Sequence, residues 1–201
     1  EVVHGKSPMV GKMGSGYWDD KIATLRALYA YMWMWPGKKT LFMGDEIAQG
    51  HEWRYDESLE WSLLKYIQHE GVRESVRDVA KLYLSDAELA ENDFNSIGFE
   101  WINADDGDNS VFSFLRFTSD GKRCYATVSN FTPVEQRAYR LGLPCGGVWK
   151  EVLNTDAKTY GGGRGNMGKV EAVAEKAANR RPFGCDMVVP PLSTVVLLGY
   201  L

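Results

Sequence analysis

The chain has 201 residues, 44% of them hydrophobic, and a net charge of −4, a length that allows one large domain or two small ones. It contains no cluster of basic residues, which argues against nucleic acid as a partner, and no apolar run as long as the roughly 18 residues of a membrane span. Three widely spaced cysteines without metal-ligand spacing favour free thiols in a reducing cytoplasm.

Residues 17–35 have the pattern of a helix. Asp19 and Asp20 stand in its first turn, where acids complement the helix dipole, and Pro36 and Gly37 end it. Apolar side chains recur at helical spacing, namely Trp18, Ile22, Leu25, Leu28, Met32 and Trp35. The apolar run that follows predicts a short buried strand at 39–43, and this order of helix, turn and strand is typical of an α/β unit.

Two further helical patterns come next. The first contains Leu59, Leu63 and Ile67 and is predicted to end near Gly71. The second is predicted to continue toward residue 89, with an apolar stripe formed by Val72, Val76, Val79 and Tyr83.

From residue 99 the apolar period changes toward two, as in strands. Turn signals separate six predicted strands, at 99–102, 111–117, 124–130, 137–143, 149–153 and 195–198. Short strands at this spacing indicate an antiparallel β-sandwich. The chain is therefore expected to be of the α+β class, with domains at 1–95 and 96–201.

The stretch 44–61, GDEIAQGHEWRYDESLEW, combines six carboxylates with three aromatic rings and a histidine. Sugar sites need both carboxylates that hold hydroxyls and rings on which a pyranose can stack. Glu46 is either a functional carboxylate or a buried hydrogen-bonding anchor, and Trp53 is either a stacking ring or core. Asp56 is either a ligand contact or a helix cap. The two histidines of this half, His51 and His69, are expected at the surface.

Several motifs, in order along the chain, resemble the bacterial 1,4-α-glucan (glycogen) branching enzymes of the α-amylase superfamily. They are EVVHGK at 1–6, LFMG at 41–44, AQG at 48–50, SLEW at 58–61, GFEWI at 98–102, VSNFTP at 128–133, EVLNTDA at 151–157 and PPLST at 190–194. The resemblance implies the last units of a catalytic (β/α)₈ barrel, followed by the C-terminal β-sandwich of that superfamily. In such barrels the loops after the strands build the active site.

The resemblance also implies a function and a set of substrate-binding residues. The parent enzyme would transfer α-1,4-glucan segments to 6-hydroxyls and so form the α-1,6 branches of glycogen, in the cytoplasm and without a cofactor or metal. The residues expected beside the glucan are Glu1, His4, Lys6, Glu46, Gln49 and Trp53. Asp45 stands where the family commonly has asparagine. The three catalytic carboxylates of the superfamily are expected before residue 1, so none is assigned here.

The chain is thus expected to be the C-terminal part of a longer enzyme. A helix separated from its barrel neighbours would expose apolar surface, so it should either self-associate or dock tightly onto the sandwich. Two other interpretations stay open: a different α-amylase superfamily enzyme, such as a trehalose-forming hydrolase, or a non-catalytic module for glucan binding or domain packing.

Overall fold

A computed structural model describes residues 2–14, 16–164 and 168–201. The described part contains three α-helices, α1 (Trp18–Met34), α2 (Ile67–Leu84) and α3 (Ala87–Glu91). All its strands lie after residue 98: β1 (Phe99–Asp106), β2 (Val111–Phe117), β3 (Arg123–Asn130), β4 (Gln136–Leu143), β5 (Gly147–Asn154), β6 (Lys169–Ala172), β7 (Phe183–Val189) and β8 (Ser193–Tyr200). No helix in these ranges is both long and apolar enough to cross a membrane.

The strands form two antiparallel sheets. Six of them make the large sheet, in the order β1-β2-β3-β8-β5-β6, and β4 pairs with β7 in a small one. The α+β class and the antiparallel sandwich are therefore confirmed, and each of the six predicted strands is present. Sequence reasoning missed β6, which has only four residues, and β7, in which Gly184 and Asp186 interrupt the apolar run. The division into two domains at residue 95 stays a prediction.

The space between the two sheets is filled by a core around Trp149. This ring is fully buried, and Gly199 makes room for it, since a Cβ there would lie 2.5 Å from a ring atom. The indole N–H donates to the carbonyl of Cys145 at 3.3 Å. The aliphatic part of the core includes Leu115, Leu141, Met187, Val195 and Leu197.

The opposite face of the large sheet is covered by the helices. Successive strand residues point to opposite faces, so Phe114 and Val196 face away from the Trp149 core and instead pack with Met34, Val79 and Leu89. The large sheet is therefore buried on both faces. This explains why β3 is an almost continuous buried run rather than an alternating one.

Helix α1 is fastened to the sheet by polar contacts as well. The Nε of Arg26 donates to the carbonyl of Thr155 at 3.0 Å, and the hydroxyl of Thr194 donates to the carbonyl of Ala27 at 2.9 Å. On another side of α1, Ile22 and Leu25 are each 1% exposed and pack in one cluster with residues of α2. Of the two arrangements expected for this helix, the structure has the one in which it docks onto the sandwich.

A fully buried arginine of β2 joins the helical and sheet layers. Arg116 donates to the carbonyls of Met34 at 2.8 Å, Leu89 at 3.1 Å and Gly98 at 3.2 Å. It also donates to a carboxylate oxygen of Asp93 at 2.6 Å. One guanidinium thus connects the end of α1, the last turn of α3 and the residue before β1.

Asp93 extends this buried network. Its second carboxylate oxygen accepts a hydrogen bond from the hydroxyl of Tyr83 and lies 3.7 Å from the ammonium of Lys39. The Lys39 ammonium also lies 4.8 Å from the centre of the Tyr83 ring. Burial lowers the pKa of Lys39 to about 8, against the opposing effect of Asp93.

Two predictions of secondary structure are wrong. Residues 39–43 do not form a strand, because no described segment offers them the hydrogen-bonding neighbour that a strand needs. Gly71 does not end a helix either, since α2 continues through it. A Cβ at Gly71 would lie 2.1 Å from the carbonyl oxygen of Tyr160, so glycine is needed there for close packing. Before α2, residues Trp61–Lys65 form only a 3-10 helix.

Candidate functional site

The stretch 44–61 forms a loop that is anchored to both long helices. It begins with a 3-10 turn, Asp45–Ile47. The hydroxyl of Tyr29 on α1 donates to the carbonyl of Asp45 at 3.1 Å, and Nδ1 of His69 on α2 lies 2.8 Å from the carbonyl oxygen of Ile47. His69 is therefore buried, and its expected surface position is wrong, because its ring is used to hold this turn.

The side chain of Asp45 stabilises the same turn. Its carboxylate accepts a hydrogen bond from the backbone N–H of Phe42 at 3.1 Å and another from that of Met9. Burial raises the pKa of Asp45, and these two hydrogen bonds work in the opposite direction. The carboxylate at this position thus bonds to the backbone.

Gln49 connects the two ends of the loop. Its side-chain N–H donates to the carbonyl of His51 at 3.1 Å, and its side-chain oxygen accepts from the backbone N–H of Glu60 at 2.9 Å. The side chain is buried and packs against Gly44, whose φ of +86° is in the left-handed region. Gln49 therefore bonds mainly to the loop backbone, which sets the shape of the loop.

Glu52 fastens the N-terminal segment to this loop. Its carboxylate accepts hydrogen bonds from the backbone N–H groups of Gly5 at 2.9 Å and Ser7 at 2.7 Å. His4, Gly5 and Ser7 all have left-handed φ angles, of 59°, 76° and 73°, which turn the segment around the carboxylate. The same hydrogen bonds lower the pKa of Glu52.

Together the loop and the N-terminal segment line an open cleft of about 880 Å³. Tyr55 is 88% exposed in this cleft, and Trp53 is half-buried with its ring edge-on to Phe42 at 5.7 Å. The cleft is lined by Val3, His4, Gln49, His51, Glu52, Trp53, Arg54, Tyr55, Asp56, Glu57, Ser58, Leu59 and Glu60. Aromatic rings beside carboxylates and an imidazole suit a polyhydroxylated ligand better than an apolar one.

The structure brings together three of the six residues predicted to bind substrate. His4, Gln49 and Trp53 line the cleft, whereas Glu46 and Lys6 lie on the adjoining turn and segment. Glu1 lies outside the described residues. The carboxylate of Glu46 is half-buried and has no hydrogen bond or ion pair with any residue that the structure describes.

Sequence reasoning did not single out the exposed ring of Tyr55 or the contact of Glu52 with the N-terminal segment. Nor did it anticipate that Arg54 pairs with Asp56 at 3.0 Å and with Glu57 at 3.2 Å. The alternative of a helix cap at Asp56 is wrong, since no helix begins there. The local density of rings and acids signalled the site, but the contacts of Glu52 with Gly5 and Ser7, which are 47 and 45 residues away, left no pattern in the sequence.

Comparison with known proteins finds relatives along nearly the whole chain. Residues 101–199 match the alpha amylase C-terminal all-beta domain. Across 98% of its length the chain is 48% identical to the 1,4-alpha-glucan branching enzyme GlgB of Aquifex aeolicus (strain VF5). Across 97% it is 52% identical to the enzyme of the same name from Roseobacter denitrificans (strain ATCC 33942 / OCh 114). Along nearly its whole length the chain is therefore similar to enzymes named 1,4-alpha-glucan branching enzyme.

The chain spans 31% of the Aquifex enzyme and 26% of the Roseobacter enzyme. Among solved structures, it resembles the crystal structure of Ttha1563 from Thermus thermophilus, with a TM-score of 0.55 and 19% identity over 89% of this chain and 31% of that one. At that identity the likeness shows the fold alone. Within the described ranges, no group of three or more His, Cys, Asp or Glu side chains could hold a metal ion.

Replacing Glu52 tests whether the cleft is assembled as described. In Glu52→Ala the backbone N–H groups of Gly5 and Ser7 lose their acceptor, so their amide hydrogen exchange at fixed pH should become faster. Glu57→Ala is the control, because Glu57 is an exposed acid of the same cleft that pairs with Arg54 rather than with the backbone. Unchanged exchange at residues 4–7 in Glu52→Ala would contradict the assignment.

The same contact has a predictable pH dependence. The pKa of Glu52 lies below the ordinary value of 4.5 in the folded state, so the contact contributes fully above that value. It should be lost as the pH falls through the lowered pKa.

Proposed function

We propose that the longer protein containing this chain transfers α-1,4-linked glucan segments to 6-hydroxyls, forming the α-1,6 branches of glycogen. The observation that carries this proposal is the identity of about 50% along nearly the whole chain to enzymes named for that activity. The open cleft supports the proposal, because its aromatic rings, carboxylates and imidazoles lie in the loop that was predicted to bind glucan.

In this proposal the chain supplies part of the glucan-binding surface. The exposed ring of Tyr55 and the half-buried ring of Trp53 offer faces for a pyranose, while the acids of the loop accept hydrogen bonds from its hydroxyls. Gln49 shapes the loop, and Glu52 holds the segment that carries His4 and Lys6. Glu46 keeps a carboxylate without a partner among the described residues, which suits a group that contacts substrate.

Several wider expectations are retained as proposals. The three free cysteines support a cytoplasmic location, and the onset of strands at residue 99 supports a boundary near residue 95. Self-association of the isolated chain has less apolar surface available than expected, because α1 is covered by the sheet and by α2. What remains is a groove of about 350 Å³ beside this helix, lined in part by Met9, Leu28, Met32 and Trp35.

The 201 residues by themselves should not form branches. The resemblance assigns none of the three catalytic carboxylates to this chain, and binding groups without a nucleophile and an acid/base cannot drive the transfer. Incubation with amylose followed by an assay for new α-1,6 linkages should therefore give background values. Branching above background would contradict the proposed division of roles.

Glu46→Gln in the longer enzyme tests the proposed role of this carboxylate. We expect a fall in kcat that is larger than the rise in KM, because the side chain lies next to the cleft and is proposed to fix the geometry of the reacting glucan. Glu175→Gln, at an exposed acid outside the cleft, is the control. Normal turnover in a folded Glu46→Gln enzyme would contradict the proposed role, because it would show that the carboxylate is not needed for the reaction.

A further inference from the structure

Glu46 stands in a short turn whose two flanking carbonyl groups are each held by a different helix. The hydroxyl of Tyr29 on α1 donates to the carbonyl of Asp45 at 3.1 Å, and Nδ1 of His69 on α2 lies 2.8 Å from the carbonyl oxygen of Ile47. Asp45 and Ile47 are the residues directly before and after Glu46. The backbone on both sides of Glu46 is thereby fixed to the helical layer.

The hydroxyl of Tyr29 is a permanent donor to this turn. The residue is 2% exposed. Burial, together with the nearby carboxylates of Asp45 and Glu46, raises the pKa of the Tyr29 hydroxyl. The phenol therefore keeps its proton, and the carbonyl of Asp45 always has this donor within reach.

His69 is also a donor, which fixes its tautomer. A carbonyl oxygen can only accept a hydrogen bond, so Nδ1 of His69 carries a proton. The ring is buried between other rings, with Trp18 at 5.8 Å and Tyr66 at 6.4 Å between centres. The imidazole is therefore held in one orientation, with its Nδ1–H directed at the carbonyl of Ile47.

The backbone of the turn is held in an uncommon conformation. Gly44 has a φ of 86° and Ala48 a φ of 52°, so residues in the left-handed region stand at both ends of Asp45–Ile47. For alanine this conformation costs energy, and such conformations are concentrated at functional sites. Ala48 is retained in it by burial in one cluster with Ile22 and Leu25.

The two carboxylates of this turn differ in what they contact. That of Asp45 bonds to the backbone N–H groups of Phe42 and Met9. That of Glu46 is half-buried and has no hydrogen bond or ion pair with a residue that the structure describes. No side-chain contact among the described residues therefore directs the Glu46 carboxylate, and its position depends on how firmly the backbone at 45–47 is held.

We propose that Tyr29 and His69 are positioning residues for the transfer reaction. They hold the carbonyls on either side of Glu46, so that its carboxylate meets the glucan in a fixed orientation. The two contacts are observed independently of any function, whereas the glucan and the role of Glu46 rest on the proposed function. The effect on rate is large, since a misplacement of about 1 Å can lower it about 100-fold.

A purely stabilising role accounts for the Tyr29 contact less well. The carbonyl of Asp45 already accepts a hydrogen bond from the backbone N–H of Ala48 at 3.1 Å, so Tyr29 is not needed to satisfy a buried acceptor. A second donor instead restricts the orientation of the peptide group. The two roles differ in their consequences, because a stabilising contact changes the fraction of folded molecules and a positioning contact changes the turnover of those that are folded.

Tyr29→Phe in the longer enzyme removes one hydroxyl and keeps the buried ring. We expect kcat to fall about tenfold with KM changed by less than about twofold, because the substrate still binds but meets a less well placed carboxylate. Tyr125→Phe is the matched control. Tyr125 is a buried tyrosine of β3 whose hydroxyl donates to Asp86 at 2.5 Å rather than to the turn, so its loss should lower stability and leave kcat unchanged.

His69→Asn and His69→Gln form a second matched pair. The amide nitrogen of asparagine is as many bonds from Cα as Nδ1, whereas that of glutamine is one bond farther, as Nε2 is. Both variants lose the ring contacts with Trp18 and Tyr66, but only asparagine keeps a donor in the place of Nδ1. We expect His69→Asn to retain kcat within about threefold and His69→Gln to lose about tenfold. Equal losses would overturn the role of His69.

The tautomer of His69 tests the geometry without any measurement of activity. The ¹⁵N-labelled 201-residue chain has three histidines, at 4, 51 and 69, and NMR distinguishes their protonated ring nitrogens. At about pH 8.5, where an ordinary imidazole is neutral, we expect the Nδ1–H form at His69. The exposed rings of His4 and His51 should show the Nε2–H form of a free imidazole. An Nε2–H form at His69 would contradict its contact with Ile47.

The double variant Tyr29→Phe, Glu46→Gln tests whether Tyr29 acts through Glu46. If it does, loss of the hydroxyl should lower kcat no further once the carboxylate is gone, whereas losses that multiply would overturn the proposal. Normal kcat in Tyr29→Phe beside a lowered kcat in Glu46→Gln would overturn the positioning role and leave the proposed function intact. A longer enzyme that forms no α-1,6 linkages would overturn the proposed function, even where the tautomer of His69 supports the geometry.

Discussion

The buried guanidinium of Arg116 is the interaction on which the layered arrangement depends. The C-terminal carbonyls of a helix have no partner within the helix, and Arg116 supplies donors to those of Met34 and Leu89 where the helices meet the sheet. Its charge is balanced by Asp93 at 2.6 Å. A buried cation with this many acceptors fixes one packing arrangement, because any shift of the layers leaves several polar groups without partners.

The position of the candidate site follows from this packing. Helices α1 and α2 lie on the large sheet, and each one holds the site loop by a buried hydrogen bond, Tyr29 to the carbonyl of Asp45 and His69 to that of Ile47. From there the loop reaches the N-terminal segment through Glu52. The sandwich thus contributes to the cleft indirectly, by providing the surface on which the two helices are aligned.

Local patterns predicted the fold well where a segment's structure depends on its own residues. The helix found at Trp18–Met34 and strands such as Val111–Phe117 follow from apolar spacing and turn residues. Errors arose where the outcome depends on a distant partner: residues 39–43 lack a neighbouring strand, and Gly71 faces Tyr160. The same holds for the candidate site. Its location at 44–61 could be predicted from the local composition, but the contact of Glu52 with the N-terminal segment could not, because it forms only in the folded chain.

Chemical denaturation of Arg116→Met tests the central role of this residue most directly. The variant keeps an unbranched apolar chain but leaves Asp93 and three carbonyls without their donor, so the free energy of unfolding should fall by about 3–5 kcal/mol. Arg137→Met, at a side chain that is 87% exposed on β4, should change it by less than about 0.5 kcal/mol. Unfolding of Arg116→Met at the same denaturant concentration as the unmodified chain would contradict the account.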